Sequence, residues 1–313
     1  MTRSTLIVAL LLAASSAGPT AQSSELALGL IRADGILVPF AVFDGTSWLE
    51  AWPEPGEPVA PDHMLAAVPS FWRKRQQQVP QAWHVAAERG AMVEVNVLSH
   101  VVFDEHCGHQ VGLLTDLHPR RADAHDKRLA ADRAVPMILP LDLSASADRA
   151  GWQDLAQLLE AESAHHENTA IADWERDSGR TSQLEPAPRR QPLRIRTLYA
   201  HRDTDSRIVY YEVERQYAKP ISDSPGAEPS VLFVSGWIYQ ATGSAPSTLN
   251  TVALITDPDF KGPVTMKPLG IVRAGGSALW VVQVHGYESE AVMLLRIDSK
   301  GAHRVFSAFI GGC

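Results

Sequence analysis

The sequence of 313 residues lacks long hydrophobic runs and has little positive charge. No apolar stretch reaches about 18 residues, which is close to the minimum for a helix that spans a bilayer. Lys and Arg total 28 against 36 Asp and Glu, so the formal net charge is −8. Nucleic acids and anionic membrane surfaces are bound by clustered Lys and Arg. The composition therefore argues against an integral membrane span and against nucleic acid as a partner.

The common catalytic and nucleotide-binding motifs are also missing. The chain contains no G-x-S-x-G nucleophile elbow, no P-loop, no G-x-G-x-x-G and no H-E-x-x-H. A phosphate- or dinucleotide-binding role therefore has no support in the sequence. Ser, His and Asp are common enough to form a triad in space, so these absences leave enzymatic activity undecided.

The N-terminus has the three parts of a signal peptide. Arg3 supplies a positive charge, residues 6–14 form an unbroken apolar run, and small residues follow it. The run is too short for a spanning helix, which needs about 20 residues. We therefore expect a signal peptide over residues 1–21, cleaved after Ala17 or Ala21. The mature protein is then released as a secreted or periplasmic protein.

Cysteine is scarce, with only Cys107 and Cys313 in the chain. Export places both thiols in a compartment that can be oxidising, where disulfides persist. We predict a Cys107–Cys313 disulfide, which would contribute about 5 kcal/mol in the chain-entropy model, less any strain. Two independent thiols are the alternative, and Cys107 also lies among histidines that could share a metal with it.

Short apolar segments separated by turn residues predict an all-β, antiparallel fold. Residues 26–33 and 36–43 flank Asp34-Gly35, a strong hairpin signal. Residues 91–103 alternate and are rich in valine, and a series of similar segments follows Leu193. The spacings suit a sandwich or barrel pair. Two internal echoes, meaning pairs of similar segments (residues 28–35 with 269–276, and residues 111–116 with 252–257), favour a propeller-like arrangement instead, although their spacings follow no fixed period.

One helical insertion is predicted around residues 146–178. Trp152, Leu155 and Leu159 repeat at i, i+3 and i+7, as on one face of a helix. Glu162 and His166 share a face further along, which is more typical of a solvated surface than of a metal site. The predicted division is an N-terminal β-rich half (22–143), the helical insertion with a Pro- and Arg-rich linker (144–192), and a C-terminal β-rich half (193–313). The two halves could form one domain.

The densest group of metal-capable side chains lies between His100 and His125. Zinc prefers His, Cys and carboxylate ligands, and Asp104, His106 and His109 are the best candidates. The H-C-x-H spacing matches no standard zinc motif, so a polar turn that carries a disulfide cysteine is the alternative. No cofactor is predicted with this spacing, although zinc or another divalent metal could bind.

Three tryptophans in the Pro-rich N-terminal region are candidates for ligand contacts. Trp52, Trp72 and Trp83 could be exposed there, and exposed aromatic rings mark binding surfaces. The alternative is that they anchor the core. By elimination, the sequence favours a non-enzymatic binding or interaction protein of the cell envelope or exterior with an unknown ligand. The competing hypothesis is a secreted metal-dependent hydrolase that uses the His100–His125 region.

Overall fold

The computed structural model describes residues 25–52, 61–74, 78–86, 92–105, 108–118, 127–134, 141–142, 150–179, 191–217, 230–256 and 262–312. Within these ranges the chain forms sixteen strands and two helices. The strands make three antiparallel sheets, which confirms the predicted all-β class with a helical insertion. The predicted signal peptide and both cysteines lie outside the described residues.

The first sheet closes into a six-stranded barrel. Its order is β1-β7-β4-β5-β6-β2, and β2 pairs again with β1, while β3 adds to the open side of β2. The strands are β1 (Leu26–Ile31), β2 (Ile36–Phe43), β3 (Trp48–Glu50), β4 (Ala82–Ala86), β5 (Met92–Glu105), β6 (Gly108–Thr115) and β7 (Arg128–Ala131). The hairpin predicted at Asp34-Gly35 joins β1 to β2, and Gly35 takes the positive φ of 84° that the turn requires.

The second sheet, called here the helix-covered sheet, has the order β12-β11-β10-β9-β8. Its strands are β8 (Leu141–Asp142), β9 (Arg194–Arg202), β10 (Ser206–Gln216), β11 (Val231–Ala241) and β12 (Ser247–Thr256). The predicted helical insertion is confirmed as a helix over Ala150–Ser178, which packs Leu155, Leu159 and Trp174 against one face of this sheet.

The third sheet, called here the central sheet, lies between the other two. It consists of β13 (Thr265–Ala274), β14 (Ser277–His285), β15 (Ser289–Asp298) and β16 (Gly301–Gly312), paired in chain order. Val281 and Leu294 share a core with the barrel, whereas Trp280 and Val282 share a core with the helix-covered sheet. Both faces are buried, and this explains the nearly continuous apolar run in β14.

A helix that the sequence did not predict covers Pro61–Lys74 and is numbered α1, so that the helical insertion is α2. Val68 and Trp72 of α1 are buried in the core of the barrel. The internal echoes do not mark equivalent blades of a propeller. Residues 28–35 belong to the wall of the barrel and residues 269–276 to the central sheet; both are apolar strands that end in a glycine turn. Neither described helix is long and apolar enough to cross a membrane.

Candidate functional site

Two of the three predicted metal ligands meet in the structure. Asp104 and His109 face each other near the end of the β5–β6 hairpin, and His109 Nδ1 lies 2.6 Å from Asp104 Oδ1. Both side chains are exposed. The third candidate, His106, lies outside the described residues with Cys107. Within the part of the chain that the structure describes, no group of three or more His, Cys, Asp or Glu could hold a metal ion.

The three candidate tryptophans lie in the core instead of on a binding surface. Trp52, Trp72 and Trp83 are 6%, 2% and 0% exposed and belong to one core inside the barrel. Trp52 Nε1 donates to the carbonyl oxygen of Val111 at 2.7 Å. The expectation of an exposed aromatic patch is therefore wrong. A barrel of this size is filled by side chains, and large rings from α1, β4 and the segment after β3 supply much of that volume.

A polar groove opens at one end of the helix-covered sheet, where the β9–β10 and β11–β12 turns lie side by side. Its volume is about 420 Å³. The side chains that matter most are guanidinium, amide and hydroxyl groups, from Arg202, Arg207, Gln240, Thr204, Ser206 and Thr242. Sequence reasoning did not single out any of them.

The floor of the groove is a row of three polar side chains in register across three strands. Arg207 pairs with Arg202 on one side and with Gln240 on the other, so all three project from the same face. Two residues further along the strands, Val209 and Ile238 of that face lie in the core beneath α2. The row is therefore a polar continuation of the face that α2 covers.

The rim of the groove is held by backbone hydrogen bonds. The N–H of Thr242 donates to the carbonyl oxygen of Asp205 at 2.9 Å, which ties the two turns together. The N–H of Asp203 donates to the carbonyl oxygen of Ser206 at 2.8 Å. Gly243 has a φ of +77°, and a side chain there would meet nothing within 4 Å. The rim is thus preformed, and it is open beside Gly243.

The single carboxylate among the described lining residues is already engaged. Nη2 of Arg273, on the central sheet, lies 3.0 Å and 2.8 Å from the two carboxylate oxygens of Asp203. The backbone N–H of Thr204 and the Arg273 guanidinium lower the pKa of Asp203. The Arg202 side chain makes no hydrogen bond or ion pair with any described residue, and it is exposed. Arg202 therefore presents its positive charge to the groove.

Glu162 and His166 lie at the contact between α2 and β12 rather than on a solvated face. His166 Nε2 is 3.2 Å from Glu162 Oε1, and Thr251 Oγ1 donates to the same oxygen at 2.7 Å. Tyr211 Oη is 3.1 Å from Thr251 Oγ1. The network attaches α2 to the sheet, because Glu162 and His166 belong to α2, Thr251 to β12 and Tyr211 to β10.

No family model, curated protein or solved structure matches this chain.

Proposed function

We propose that the protein is an exported, non-enzymatic binding protein of the cell envelope or exterior. The groove at the end of the helix-covered sheet is the site where it holds a small polar ligand. The observation that carries this proposal is a preformed cavity of about 420 Å³ with converging donors and acceptors. Small-molecule sites range from about 300 to 1,000 Å³, so the groove has room for one such molecule.

The chemistry of the lining supports binding rather than catalysis. Its described residues include no imidazole and no thiol, and Asp203 is bound by Arg273. The hydroxyl groups of Thr204 and Ser206 therefore have no adjacent base to activate them as nucleophiles. The same hydroxyl groups, the Gln240 amide and the arginines are suited to hydrogen bonding a polar ligand.

The proposal is tested by equilibrium binding to the mature chain. A panel of free amino acids, neutral sugars and acidic sugars is screened by isothermal titration calorimetry. We expect one class to bind at a ratio of one to one, and to be recovered unchanged when its mass is measured after incubation. A ligand that is converted to product would contradict a non-enzymatic role.

A groove-filling variant locates the site. Thr204 is exposed at the rim, and Thr204→Trp should weaken binding by at least about tenfold, because the indole occupies the ligand's volume. The matched control is Thr169→Trp on α2, another exposed threonine. Thr169 lies two residues after Glu167, which binds Arg215. Arg215 is near the end of β10 that is far from the groove, so the added indole of this variant should not reach the ligand. Equal affinity of the two variants would place the binding site elsewhere.

The Asp104–His109 pair supports a second candidate, a secreted metal-dependent hydrolase. A carboxylate that holds Nδ1 of a histidine leaves Nε2 free for a metal, which is a common arrangement in zinc sites. Elemental analysis of the exported protein, kept away from chelators, tests this candidate. Stoichiometric zinc that is lost in His109→Ala would support it, and a metal-free protein would overturn it.

A further inference from the structure

We infer that Lys127 and Gln283 become joined by an isopeptide bond, which is an amide bond between two side chains, and that Glu290 is the carboxylate that carries the protons. The bond links the residue before β7 of the barrel to β14 of the central sheet. This modification site belongs to the contact between two sheets and not to the groove, so it does not depend on the proposed ligand.

The first argument is that the three functional groups meet at one atom. Lys127 Nζ lies 2.6 Å from Glu290 Oε1, and Gln283 Nε2 donates a hydrogen bond to the same oxygen. The strand register explains this placement. Gln283 pairs with Val292, and Glu290 lies two residues before Val292, so it projects from the same face. The amine and the amide are therefore held next to each other, and such proximity replaces an encounter between separate reactants.

The second argument is the exclusion of water. The side chains of Lys127 and Glu290 are 4% and 2% exposed, and Gln283 is 0% exposed. Apolar side chains, among them Leu30 and Ile310, line the small cavity beside Lys127. Burial lowers the pKa of Lys127, although Glu290 opposes this change. The protein interior therefore favours the neutral amine, which is the form of lysine that acts as a nucleophile.

The third argument is an unsatisfied polar atom. Gln283 Oε1 is buried and accepts no hydrogen bond from any residue that the structure describes. Buried polar atoms of this kind are rare, and a catalytic role is one explanation for them. A glutamine that served only to hold the Glu290 carboxylate would leave this cost unexplained. A glutamine whose amide is a reactant accounts for it.

The reaction needs no cofactor and no oxidant. Glu290 accepts a proton from the Lys127 ammonium group, and the neutral Nζ forms a bond with Cδ of Gln283. Two protons pass in turn from Nζ through the carboxylate to Nε2, because Glu290 Oε1 contacts both nitrogens. The Cδ–Nε2 bond breaks, an ammonium ion departs, and Glu290 regains its charge. Lys127 carries no charge in the joined chain, so its ion pair with Glu290 belongs to the unreacted chain.

The linkage is measured by mass spectrometry of the mature chain after its disulfides are reduced. The intact mass should be about 17 Da below the sequence mass, which is the loss of one ammonia. After trypsin digestion, residues 122–128 should be recovered joined to residues 274–296, because a modified Lys127 is no longer a cleavage site. The joined peptide is the decisive observation, since a chain that begins at Gln22 also loses ammonia when its N-terminal glutamine cyclises.

Variants assign the roles of the amine and the amide. Lys127→Arg keeps the positive charge beside Glu290, but its guanidinium stays protonated and cannot attack. Gln283→Met has a similar volume and no amide, and it preserves the ion pair of the unreacted chain. Neither variant should yield the joined peptide, and circular dichroism checks that each is folded. The matched control is Lys300→Arg, in the exposed β15–β16 turn, which should be joined as the wild type is.

The role of the carboxylate is tested by Glu290→Asp. This change keeps the negative charge but withdraws the carboxylate from the two nitrogens, so a smaller fraction of the chain should be joined after the same time. A fraction equal to that of the wild type would show that Glu290 does not carry the protons.

Three results would overturn the inference. The first is a folded wild-type chain of unmodified mass, in which trypsin cleaves after Lys127. The second is a loss of about 18 Da with Lys127 joined to Glu290, since that bond forms with release of water. The third is a joined peptide that persists in Gln283→Met or in Lys127→Arg. The expected result is a joined peptide in the wild type and in Lys300→Arg, and separate peptides in the two variants that lack a reactant.

Discussion

Lys127 and Glu290 form a buried ion pair between the barrel and the central sheet. Lys127 Nζ lies 2.6 Å from Glu290 Oε1, and the two side chains retain only 4% and 2% of their exposure. Lys127 directly precedes β7, and Glu290 lies on β15. Gln283 Nε2 donates to the same carboxylate oxygen. A buried charge therefore meets its counter-charge across the contact between the two sheets.

We predict that Glu290→Gln destabilises the protein by about 3–5 kcal/mol in urea denaturation, since it leaves the buried ammonium group without its counter-charge. The double variant Lys127→Met/Glu290→Gln should recover much of that loss, because neither position then carries a charge. The control is Asp173→Asn, which breaks an exposed ion pair with Arg176 on α2 and should cost less than about 1 kcal/mol.

The destabilisation caused by Glu290→Gln should also decrease at high pH. Burial lowers the pKa of Lys127 below its usual 10.5, even though Glu290 opposes this change. Without Glu290 the folded-state pKa of Lys127 falls further. Between that pKa and about pH 10.5, Lys127 holds its proton more in the unfolded chain than in the folded one. The free energy of unfolding of the variant therefore rises with pH over this range. A loss of stability that is constant between neutral pH and pH 10 would contradict this explanation.

The carboxylate of Glu162 provides a prediction at acidic pH. Burial raises its pKa, but hydrogen bonds from Thr251 and Thr248 and the nearby His166 outweigh burial, so the pKa lies below 4.5. Such a group stabilises the folded state above pH 4.5, and the stabilisation is lost as the pH falls through the folded-state pKa. We expect Thr251→Val to raise the pKa of Glu162, measured by carbon NMR titration of its carboxyl group.

The stability of the Thr251→Val variant should differ from that of the wild type more at pH 6 than at pH 3, since protonation removes the interaction in both proteins at low pH. The control is Thr256→Val on the same strand, whose hydroxyl donates to the carbonyl oxygen of Val231 rather than to a carboxylate. A Glu162 pKa that is the same in Thr251→Val and Thr256→Val would show that the hydrogen bond does not set it.

Gly112 tests the packing of the barrel. A Cβ at this position would overlap Ile36 Cγ2 and lie 3.0 Å from Cε1 of Phe103. Overpacking of a core costs about 1–3 kcal/mol, so Gly112→Ala should lower the urea midpoint accordingly. Gly262→Ala is the matched control, because nothing lies within 4 Å of its added methyl group. Equal midpoints for the two variants would mean that β6 does not approach β2 this closely.

Export and disulfide formation are tested together on protein expressed with its N-terminal segment. We expect the secreted or periplasmic product to begin at Gly18 or Gln22, as measured by intact mass, and to show no free thiol after denaturation. The physical reason is that an oxidising compartment allows Cys107 and Cys313 to pair. An unprocessed chain in the cytoplasm, or two reactive thiols in the mature protein, would contradict the prediction.

Local apolar patterns were sufficient to predict much of the secondary structure. The alternation in residues 91–103 and the Asp34-Gly35 turn correspond to β5 and to the β1–β2 hairpin, and the i, i+3, i+7 repeat corresponds to α2. The helix over Pro61–Lys74 was missed, since its tryptophan and prolines suggested an irregular, exposed segment. Leu65, Val68 and Trp72 nevertheless repeat at i, i+3 and i+7 and pack into the core of the barrel, so the signal for this helix is present in the sequence.

The candidate site could not be predicted in the same way. Arg202 and Arg207 are close in sequence, but only the strand register places them opposite each other and beside Gln240. Likewise, nothing local indicates that Trp52 is buried, because an indole ring suits both a core and a binding surface.

The sequence by itself determined that this chain forms short antiparallel strands and one long helix, because hydrophobic periodicity is a property of neighbouring residues. Only the tertiary structure decided which strands close into a barrel, which sheet is buried on both faces, and where polar side chains converge. Those features depend on contacts between distant residues, such as the 163 positions that separate Lys127 from Glu290. Such contacts form because the apolar faces of separate sheets must be buried against one another.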